Sequence, residues 1–364
     1  MKQTNLYNLG LSEDISNEAN QLDSTLFLAR VSVQHKDMYK IITEDREIQA
    51  EVSGRLSYHA SEIADYPAVG DWVLVDRIDD YGGNAIIHHI LSRKSCFERK
   101  AAGDKYERQI VAANIDVVFI CMSLNNDYNL RRLERYLSIA WDSRAKPVVV
   151  LTKADLCNDI ESRLREIEEI AIGVNVVVAS CLDADGYSHM IKYMEKRKTV
   201  AFIGSSGVGK STLINKLMGQ NVLVTNSLRN DDKGRHTTTH RQLILLPQGT
   251  IVIDTPGMRE LQIAGADLSM SFSDIEEYSN HCYYKDCNHE NEPRCAVREA
   301  IEEGTLSLER YENYKKLQKE MLFEERKVTM TASQAEKEKI KDMMGSLDAC
   351  KRLQKFNRKN KRMK

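Results

Sequence analysis

The stretch that decides the fold is Gly204-Ser205-Ser206-Gly207-Val208-Gly209-Lys210-Ser211. Its outer glycines are separated by four residues and followed by Lys and Ser, which matches the pattern of a phosphate-binding loop. Residues 199–203 before it are apolar and rich in β-formers, which predicts a buried strand, and residues 212–218 after it have helical spacing. Such a loop wraps closely around phosphates, because its backbone N–H groups and the following helix N-terminus supply positive potential. We therefore predict that the chain binds a nucleoside triphosphate, the alternative being a glycine turn between two core elements.

The side chains at the end of this loop have predicted roles. We expect the Lys210 ammonium to reach the outer phosphates and the Ser211 hydroxyl to hold a Mg²⁺ ion. The predicted phosphate contacts from this stretch are Gly204, Ser205, Ser206, Gly207, Val208, Gly209, Lys210, Ser211 and Thr212.

Composition limits the class of protein. A length of 364 residues favours two or three domains, and 42% apolar residues are enough for a sizeable core. No apolar run is long enough to cross a bilayer, and the first 20 residues are polar and mixed in charge, so we expect no signal peptide and no membrane contact. The eight cysteines do not have disulfide-framework spacing, which favours a reducing, cytoplasmic location.

Charge is distributed unevenly along the chain. Residues 351–364 contain eight Lys or Arg and no acid, so the net charge of −2 leaves −10 on the first 350 residues. A basic tail on an acidic body favours contact with a polyanion, above all a nucleic acid. The alternative is a solvated, disordered tail.

Short alternating runs separated by turns fill residues 26–102, and one run spans residues 48–56. About five short strands in some 75 residues favour a small OB-type barrel, a fold that often binds oligonucleotides. Residues 92–106 are basic and polar and are interpreted as a solvated connector. Residues 1–25 carry no clear signal.

From residue 110 the pattern changes to strands alternating with helices. Predicted strands lie at 116–120, 147–151, 174–179, 199–203 and 250–253, with helices at 130–141, 159–171 and 187–196. This pattern predicts a parallel α/β sheet whose ligand sits beyond the carboxyl ends of the strands.

A guanine-recognition motif follows the strand at 147–151. Thr152-Lys153-Ala154-Asp155 resembles the Asn/Thr-Lys-x-Asp motif of GTPases, in which the Asp carboxylate accepts both guanine N–H donors; adenine offers no matching pair. Asn is the commoner first residue, so Thr152 is a departure. Ser180 fits the companion guanine loop, which usually reads Ser-Ala, although the order here is Ala179-Ser180. The expected nucleotides are therefore GTP and GDP.

Two further motifs point to the γ-phosphate. Asp254-Thr255-Pro256-Gly257 resembles the Asp-x-x-Gly motif, in which Asp254 holds Mg²⁺ through water and the Gly257 N–H contacts the γ-phosphate. Residues 226–240 are predicted to be a loop that orders around that phosphate. Thr238 is the predicted Mg²⁺ ligand in it, with Thr237 or Thr239 as alternatives.

The motifs occur in a permuted order, because guanine recognition precedes the phosphate loop. In ordinary GTPases guanine recognition comes after the phosphate loop. The strands of the sheet can keep the same neighbours if the termini of such a GTPase are joined and the chain is opened at another place. The chain then runs from the Asp-x-x-Gly motif directly into the next domain, so a nucleotide-dependent movement is expected to pull on the C-terminal segment.

Four potential ligands cluster after residue 280. Cys282, Cys287, His289 and Cys295 offer three thiolates and one imidazole, a tetrahedral set that is closed and structural in character. The alternatives are incidental cysteines in a reducing compartment, or neighbouring His281 as the histidine ligand.

Taken together, the barrel-like N-terminus, the permuted motifs, Gly234-Arg235-His236-Thr237-Thr238-Thr239 and the Cys/His cluster resemble the RsgA (YjeQ) family of circularly permuted GTPases. The resemblance covers roughly residues 26–320. It implies one structural zinc on the four Cys/His positions and the small ribosomal subunit with its rRNA as partner. It also implies that the subunit stimulates hydrolysis, which is coupled to late subunit maturation or factor release.

The hydrolytic residue is a hypothesis. Met258 stands where many GTPases carry a Gln that orients the attacking water, so intrinsic turnover should be slow. His236 is the candidate to order that water, and the family resemblance points to the same residue. His236 as a phosphate-proximal or RNA-contacting residue is the alternative, and Arg235 is a weaker candidate for neutralising transition-state charge.

The predicted architecture is multidomain α/β, in a chain expected to act as a monomer. Its predicted parts are a polar extension (1–25), an OB-type RNA-binding barrel (26–105), a circularly permuted P-loop GTPase domain (106–270), a zinc-binding helical domain (271–325) and a basic tail (326–364). Two other functions stay open: an RNA-binding zinc scaffold with a structural nucleotide, and a switch GTPase acting on a protein partner.

Overall fold

The computed structural model describes residues 5–35, 38–100, 108–180, 186–219, 241–254 and 268–329. The N-terminal barrel is formed by β1 (Phe27–Gln34), β2 (Tyr39–Ile42), β3 (Glu47–Val52), β4 (Trp72–Val75) and β5 (Ala85–Ile90). The strand order is β1-β2-β3-β5-β4, and β4 pairs back onto β1, which closes the five-stranded barrel. Alternate side chains such as Val31, Ile41 and Val73 fill its interior. The predicted barrel is confirmed.

A short helix, α2 (Gly54–His59), replaces the end of one predicted strand. The strand interpretation of residues 48–56 is wrong beyond Val52, because the Ser53 side chain accepts a hydrogen bond from the Leu56 N–H at 3.1 Å and caps the helix. Leu56 then packs against the barrel core from the helix rather than from a strand.

The predicted connector is also corrected. Residues 96–100 form β6 (Cys96–Lys100), which pairs antiparallel with β7 (Arg108–Ala113). Phe97 is fully buried, and Arg93 forms an ion pair with the buried Asp71 carboxylate at 2.7 Å. The prediction of a solvated linker is therefore wrong for residues 92–100. Their basic composition indicated solvent exposure, although the segment contains a strand and a cation that pairs with a buried carboxylate.

The N-terminal residues pack onto the rest of the molecule. A 3₁₀ turn (Leu6–Leu9) precedes α1 (Glu13–Leu22), and Leu6 and Leu9 are buried in the main core. Arg30 of β1, which is 1% exposed, donates hydrogen bonds to the Leu9 and Gly70 carbonyls and to the Thr199 hydroxyl. Burial lowers the pKa of Arg30 to about 10. This one side chain joins the N-terminal turn, the barrel and the central sheet.

The central sheet is the predicted parallel α/β sheet. Its elements are β8 (Val117–Ser123), α3 (Leu130–Asp142), β9 (Lys146–Thr152), α4 (Ile160–Glu168), β10 (Asn175–Val178), α5 (Ser188–Ile191), β11 (Thr199–Ile203), α6 (Lys210–Met218), β12 (Gln242–Leu245) and β13 (Ile251–Asp254). The order is β10-β9-β8-β11-β13-β12, with only β12 antiparallel within this run. Helices α3 and α4 cover one face, while α5 and α6 cover the other.

The C-terminal helices are α7 (Ser273–Asn280), α8 (Ala296–Glu302) and α9 (Leu308–Thr329). Arg310 of α9 attaches them to the central sheet: it is 4% exposed and forms ion pairs with Glu134 of α3 at 2.9 Å and with Asp274 of α7 at 2.7 Å. Glu134 is itself fully buried and also accepts from Asn313. Within the described residues, no helix combines the length and apolarity that crossing a bilayer requires.

Candidate functional site

Four polar segments meet at the carboxyl edge of the central sheet. Strands β8 to β11 and β13 run parallel, so the residues that follow them lie at the same edge. Thr152 ends β9 and pairs in register with Ser123 of β8, and Asp254 ends β13. Gly204 follows β11 directly, and Ser180 lies two residues beyond the end of β10. Parallel sheets bind their ligands at this edge.

Glycine is required in the phosphate-binding loop. At Gly204 φ is +143°, and a Cβ atom there would lie 2.4 Å from the Cys121 carbonyl oxygen. Gly209 has φ +105° and immediately precedes α6, which begins at Lys210 without a side-chain cap. The buried side chain of Val208 anchors the loop in the core. The loop therefore approaches β8 closely and directs helix N–H groups toward its own concave side.

The ammonium of Lys210 lies over this loop. Its Nζ donates to the Gly204 carbonyl at 2.7 Å and to the Ser205 carbonyl at 2.6 Å. The same charge acts on Asp254 and lowers the pKa of that carboxyl against the larger effect of burial. The phosphate loop follows β11 and Asp254 ends β13, and these two strands are parallel neighbours in the sheet.

The Asp254 carboxylate has a buried oxygen that is suited to bind a cation. Among the described residues its Oδ2 has no hydrogen-bond partner, and burial raises the pKa of the carboxyl to about 6. A desolvated carboxylate is unfavourable unless it is paired with a proton or a positive charge. Together with the half-buried Ser211 at the start of α6, this oxygen fits the hard-oxygen chemistry that Mg²⁺ prefers.

The predicted guanine-recognition motif, Thr152–Asp155, is hydrogen-bonded to both neighbouring loops. The Thr152 hydroxyl donates to the Val208 carbonyl of the phosphate loop at 2.6 Å. The Ser180 hydroxyl donates to Asp155 Oδ1 at 2.8 Å, while the Asp155 carboxylate is exposed at the edge of the sheet. Lys153 adopts φ +56°, which turns the chain between these two contacts. The Thr152 hydroxyl therefore links the Thr152–Asp155 motif directly to the phosphate-binding loop.

One acid at this edge was missed by the sequence analysis. Asp127, in the loop between β8 and α3, accepts a hydrogen bond from the Ser205 hydroxyl. The available signal was the polar run Asn125-Asn126-Asp127 directly after a buried strand, the same kind of position that identified Thr152 and Asp254.

The Cys/His cluster is assembled as predicted. The ligand atoms of Cys282, Cys287, His289 and Cys295 all lie within 4.8 Å of one another. Cys282 Sγ is 3.9 Å from Cys295 Sγ, and His289 Nδ1 lies 3.5 and 3.4 Å from those two sulfurs. Tetrahedral zinc with Zn–S of about 2.3 Å has an S···S edge of about 3.8 Å.

The surroundings of the cluster suit a metal. His289 Nε2 lies 3.2 Å from the Ser279 hydroxyl, which leaves Nδ1 facing the sulfurs. Burial, with the nearby Lys315 charge, lowers the pKa of His289 and so favours the neutral imidazole that binds metals. The Cys282 and Cys287 side chains are half-buried and Cys295 is buried. The cluster fits a closed structural zinc site.

Several predicted residues lie outside the described residues. These are Arg235, His236, Thr237, Thr238, Thr239, Gly257 and Met258, together with the basic tail. Their proposed roles depend on the sequence.

Comparison with known proteins identifies the family. The model of the RsgA GTPase family matches residues 90–264. The small ribosomal subunit biogenesis GTPase RsgA 2 of Lactiplantibacillus plantarum is 47% identical over 97% of this chain and 99% of its own length. The chain belongs to the RsgA GTPase family. A Listeria innocua member, small ribosomal subunit biogenesis GTPase RsgA 1, is 42% identical over 91% of this chain and 94% of its own.

Solved structures agree with this RsgA assignment. The crystal structure of YjeQ from Thermotoga maritima matches with a TM-score of 0.60 and 28% identity, over 82% of this chain and 99% of that one. YloQ, described as a circularly permuted GTPase, matches with a TM-score of 0.58 and 26% identity, over 81% and 95% of the two chains. The predicted family resemblance and the permuted fold are confirmed.

Proposed function

We propose that the chain is a Mg²⁺-dependent GTP hydrolase that binds the small ribosomal subunit and couples hydrolysis to late subunit maturation or factor release. The observation that carries this proposal is the hydrogen bond from Thr152 to the Val208 carbonyl, because it joins the guanine motif to the phosphate loop at one edge of the sheet. A single GTP extending from Asp155 to Lys210 is the ligand this arrangement fits.

The residue roles follow from these positions. Asp155 and Lys153 would recognise guanine with support from Thr152, Ala154 and Ser180. The loop amides from Gly204 to Gly209, with Lys210, Ser211, Thr212 and Gly257, would bind the phosphates. A Mg²⁺ ion held by Ser211, Asp254 and Thr238 would neutralise phosphate charge.

Hydrolysis is assigned to a water ordered by His236. Met258 lacks the polar group that a water-orienting residue needs, so slow intrinsic turnover and stimulation by a partner are expected. An imidazole near neutrality can align water through a hydrogen bond without taking its proton completely.

The C-terminal region would hold one structural zinc ion on Cys282, Cys287, His289 and Cys295. This loop contributes few side chains to the core, and zinc ligation supplies folding free energy that apolar burial does not.

The partner is taken from the relatives, whose names describe small ribosomal subunit biogenesis GTPases. A barrel of OB type and a tail with eight basic residues support contact with rRNA. We further propose that the protein acts as a monomer in the cytoplasm, with domain limits near residues 25, 105, 270 and 325.

Phosphate release from GTP, measured with purified small subunits, with large subunits and with neither, tests the proposal. Stimulation by small subunits alone is expected, and Asp155→Asn should reduce the preference for GTP over other nucleotides while the Lys210 contacts persist. His236→Ala should lose the stimulated rate and keep GDP affinity. Tight GTP binding without turnover under every condition would instead support an RNA-binding zinc scaffold. Met258 is compatible with that alternative, because it cannot orient the attacking water.

A further inference from the structure

The loop between β8 and α3 packs against the phosphate-binding loop and is not part of any motif used above. Its Asp127 carboxylate accepts a hydrogen bond from the Ser205 hydroxyl, 78 positions away in the chain. Ser205 is the second residue of the phosphate loop, immediately after the glycine that touches β8. The contact therefore fixes the loop at the point where it leaves its strand.

Asp127 is itself held in place by α3. Arg132 donates to Asp127 Oδ1 at 2.9 Å and to the Asp127 carbonyl at 2.8 Å. The Asp127 N–H donates to Asn125 Oδ1 at 3.1 Å, and Asn129 caps α3 by accepting from the Arg132 N–H. Because Arg132 pairs with the carboxylate, little net negative charge faces the phosphate loop.

Thr152 holds the same loop at a second point. Its hydrogen bond ends on Val208, three residues beyond Ser205, so two side chains from neighbouring strand ends hold the loop at two points. Between Asp127, Arg132 and Ser205 the structure leaves a cavity of only about 10 Å³, which is room for no more than about one water. The loop has little space to shift toward α3.

We propose that Asp127 is a positioning residue for GTP hydrolysis, acting through the Ser205 hydroxyl to keep the phosphate-loop amides aimed at the reacting phosphates. This inference rests on the proposed GTPase function. Phosphoryl transfer depends on positioning and on charges placed in advance, and a misplacement of about 1 Å can reduce the rate about 100-fold. Guanine recognition belongs to a different set of residues, so nucleotide affinity should change much less than turnover.

A double-mutant cycle tests the inference. Ser205→Ala and Asp127→Ala should each lower subunit-stimulated kcat by about tenfold and change GDP affinity by less than about threefold. The double variant should be no slower than either single variant, because both remove the same contact. Asp127→Asn, whose amide oxygen still accepts from Ser205, should recover most of kcat.

Thr25→Val is the matched control, since the Thr25 hydroxyl donates to Asp23 at 2.6 Å, ahead of the barrel and far along the chain from the phosphate loop. It should leave kcat unchanged. Thermal melting identifies any variant that fails to fold; if Asp127→Ala does so, Ser205→Ala decides alone because it removes a single oxygen.

The outcomes separate this inference from the function on which it rests. No GTP turnover by the unmodified protein with small subunits contradicts the proposed function. Normal turnover by the unmodified protein, together with an unaffected kcat in folded Ser205→Ala, overturns the role of Asp127. Multiplicative losses in the double variant, or a change confined to KM, overturn it as well.

Discussion

The Cys₃His cluster and the sheet edge around Asp254 both offer ligands to a metal ion, and they differ in how far those ligands are assembled. In the cluster all four ligand atoms already lie within 4.8 Å of one another, and Ser279 supports His289 from outside. At the sheet edge a single buried carboxylate oxygen stands without a hydrogen-bond partner in the described part of the chain. On the proposed assignments, zinc would be part of the fold in the first arrangement, whereas Mg²⁺ would reach the second together with its nucleotide.

The largest effect is expected from removing one of the four Cys/His ligands. Cys295→Ser removes one thiolate, and because structural zinc contributes on the order of 10 kcal/mol to such small sites, zinc binding and the order of α7 and α8 should be lost together. Zinc content by atomic absorption and hydrogen exchange of residues 273–302 measure this.

Cys157→Ser, at a half-buried cysteine outside the cluster, is its control and should retain one zinc per chain. Nucleotide binding by Cys295→Ser should persist, because the phosphate and guanine loops are built on the central sheet. Zinc retained at full stoichiometry in Cys295→Ser would contradict the assignment of this ligand.

Replacing Asp254, the proposed ligand at the sheet edge, should have the opposite effect on stability. Asp254→Asn removes a charge whose buried Oδ2 has no hydrogen-bond partner among the described residues, so the nucleotide-free protein should become more stable by about 1–3 kcal/mol, while Mg²⁺-dependent GTP turnover falls by about 100-fold. Thermal melting and phosphate release measure the two changes. A destabilised Asp254→Asn protein would show that the carboxylate is satisfied in the fold and not reserved for a cation.

The raised pKa of Asp254 predicts a pH dependence with a defined sign. The folded protein binds this proton more tightly than the unfolded chain, since the pKa rises from 3.8 to about 6, so the contribution of Asp254 to the stability of the nucleotide-free protein should fall as the pH rises from about 4 to 6. Mg²⁺-dependent GTP affinity should change in the other direction, weakening by up to about tenfold per unit below pH 6. Titration calorimetry from pH 5 to 8 measures the affinity, denaturant unfolding from pH 4 to 7 measures the stability, and both slopes should be smaller in Asp254→Asn.

The smallest effect is expected at the outer support of the zinc cluster. Ser279→Ala removes the hydroxyl beside His289 Nε2, which orients the ring, and should weaken zinc binding by about tenfold while leaving the stoichiometry at one. Competition with a chromophoric chelator measures this. Ser273→Ala, on the same helix, is the matched control.

Sequence reasoning found the residues that obey short-range rules. The phosphate loop, the predicted guanine motif and the Cys/His ligands have fixed spacings, and the alternation of strands with helices indicated the edge where the first two meet. The barrel followed from turn signals and short alternating runs, although the Ser53 cap that converts residues 54–59 into a helix was overlooked.

Contacts between residues that are far apart in the chain could not be predicted from local sequence patterns. Asp127 meets Ser205, and Arg30 meets Thr199, across long sequence separations that no local pattern encodes. The basic residues of 92–100 indicated solvent exposure, yet Arg93 lies against Asp71 in the interior. Charge composition alone does not distinguish a solvated cation from one paired inside the fold.

The Arg310 network bears on how the permuted chain can transmit movement. The connection leaves β13 at Asp254 and returns to the described structure at Leu268, and both of these ends are fixed, the second by buried Leu268 and Phe272 and by the Asp274–Arg310–Glu134 ion pairs. Separating a buried charge from its partners requires about 3–5 kcal/mol, close to the 5.5 kcal/mol that reverses a two-state population from 1:99 to 99:1. A nucleotide-dependent movement of α9 away from α3 would have to break the Arg310–Glu134 ion pair, so it would be opposed by a free energy of about that size.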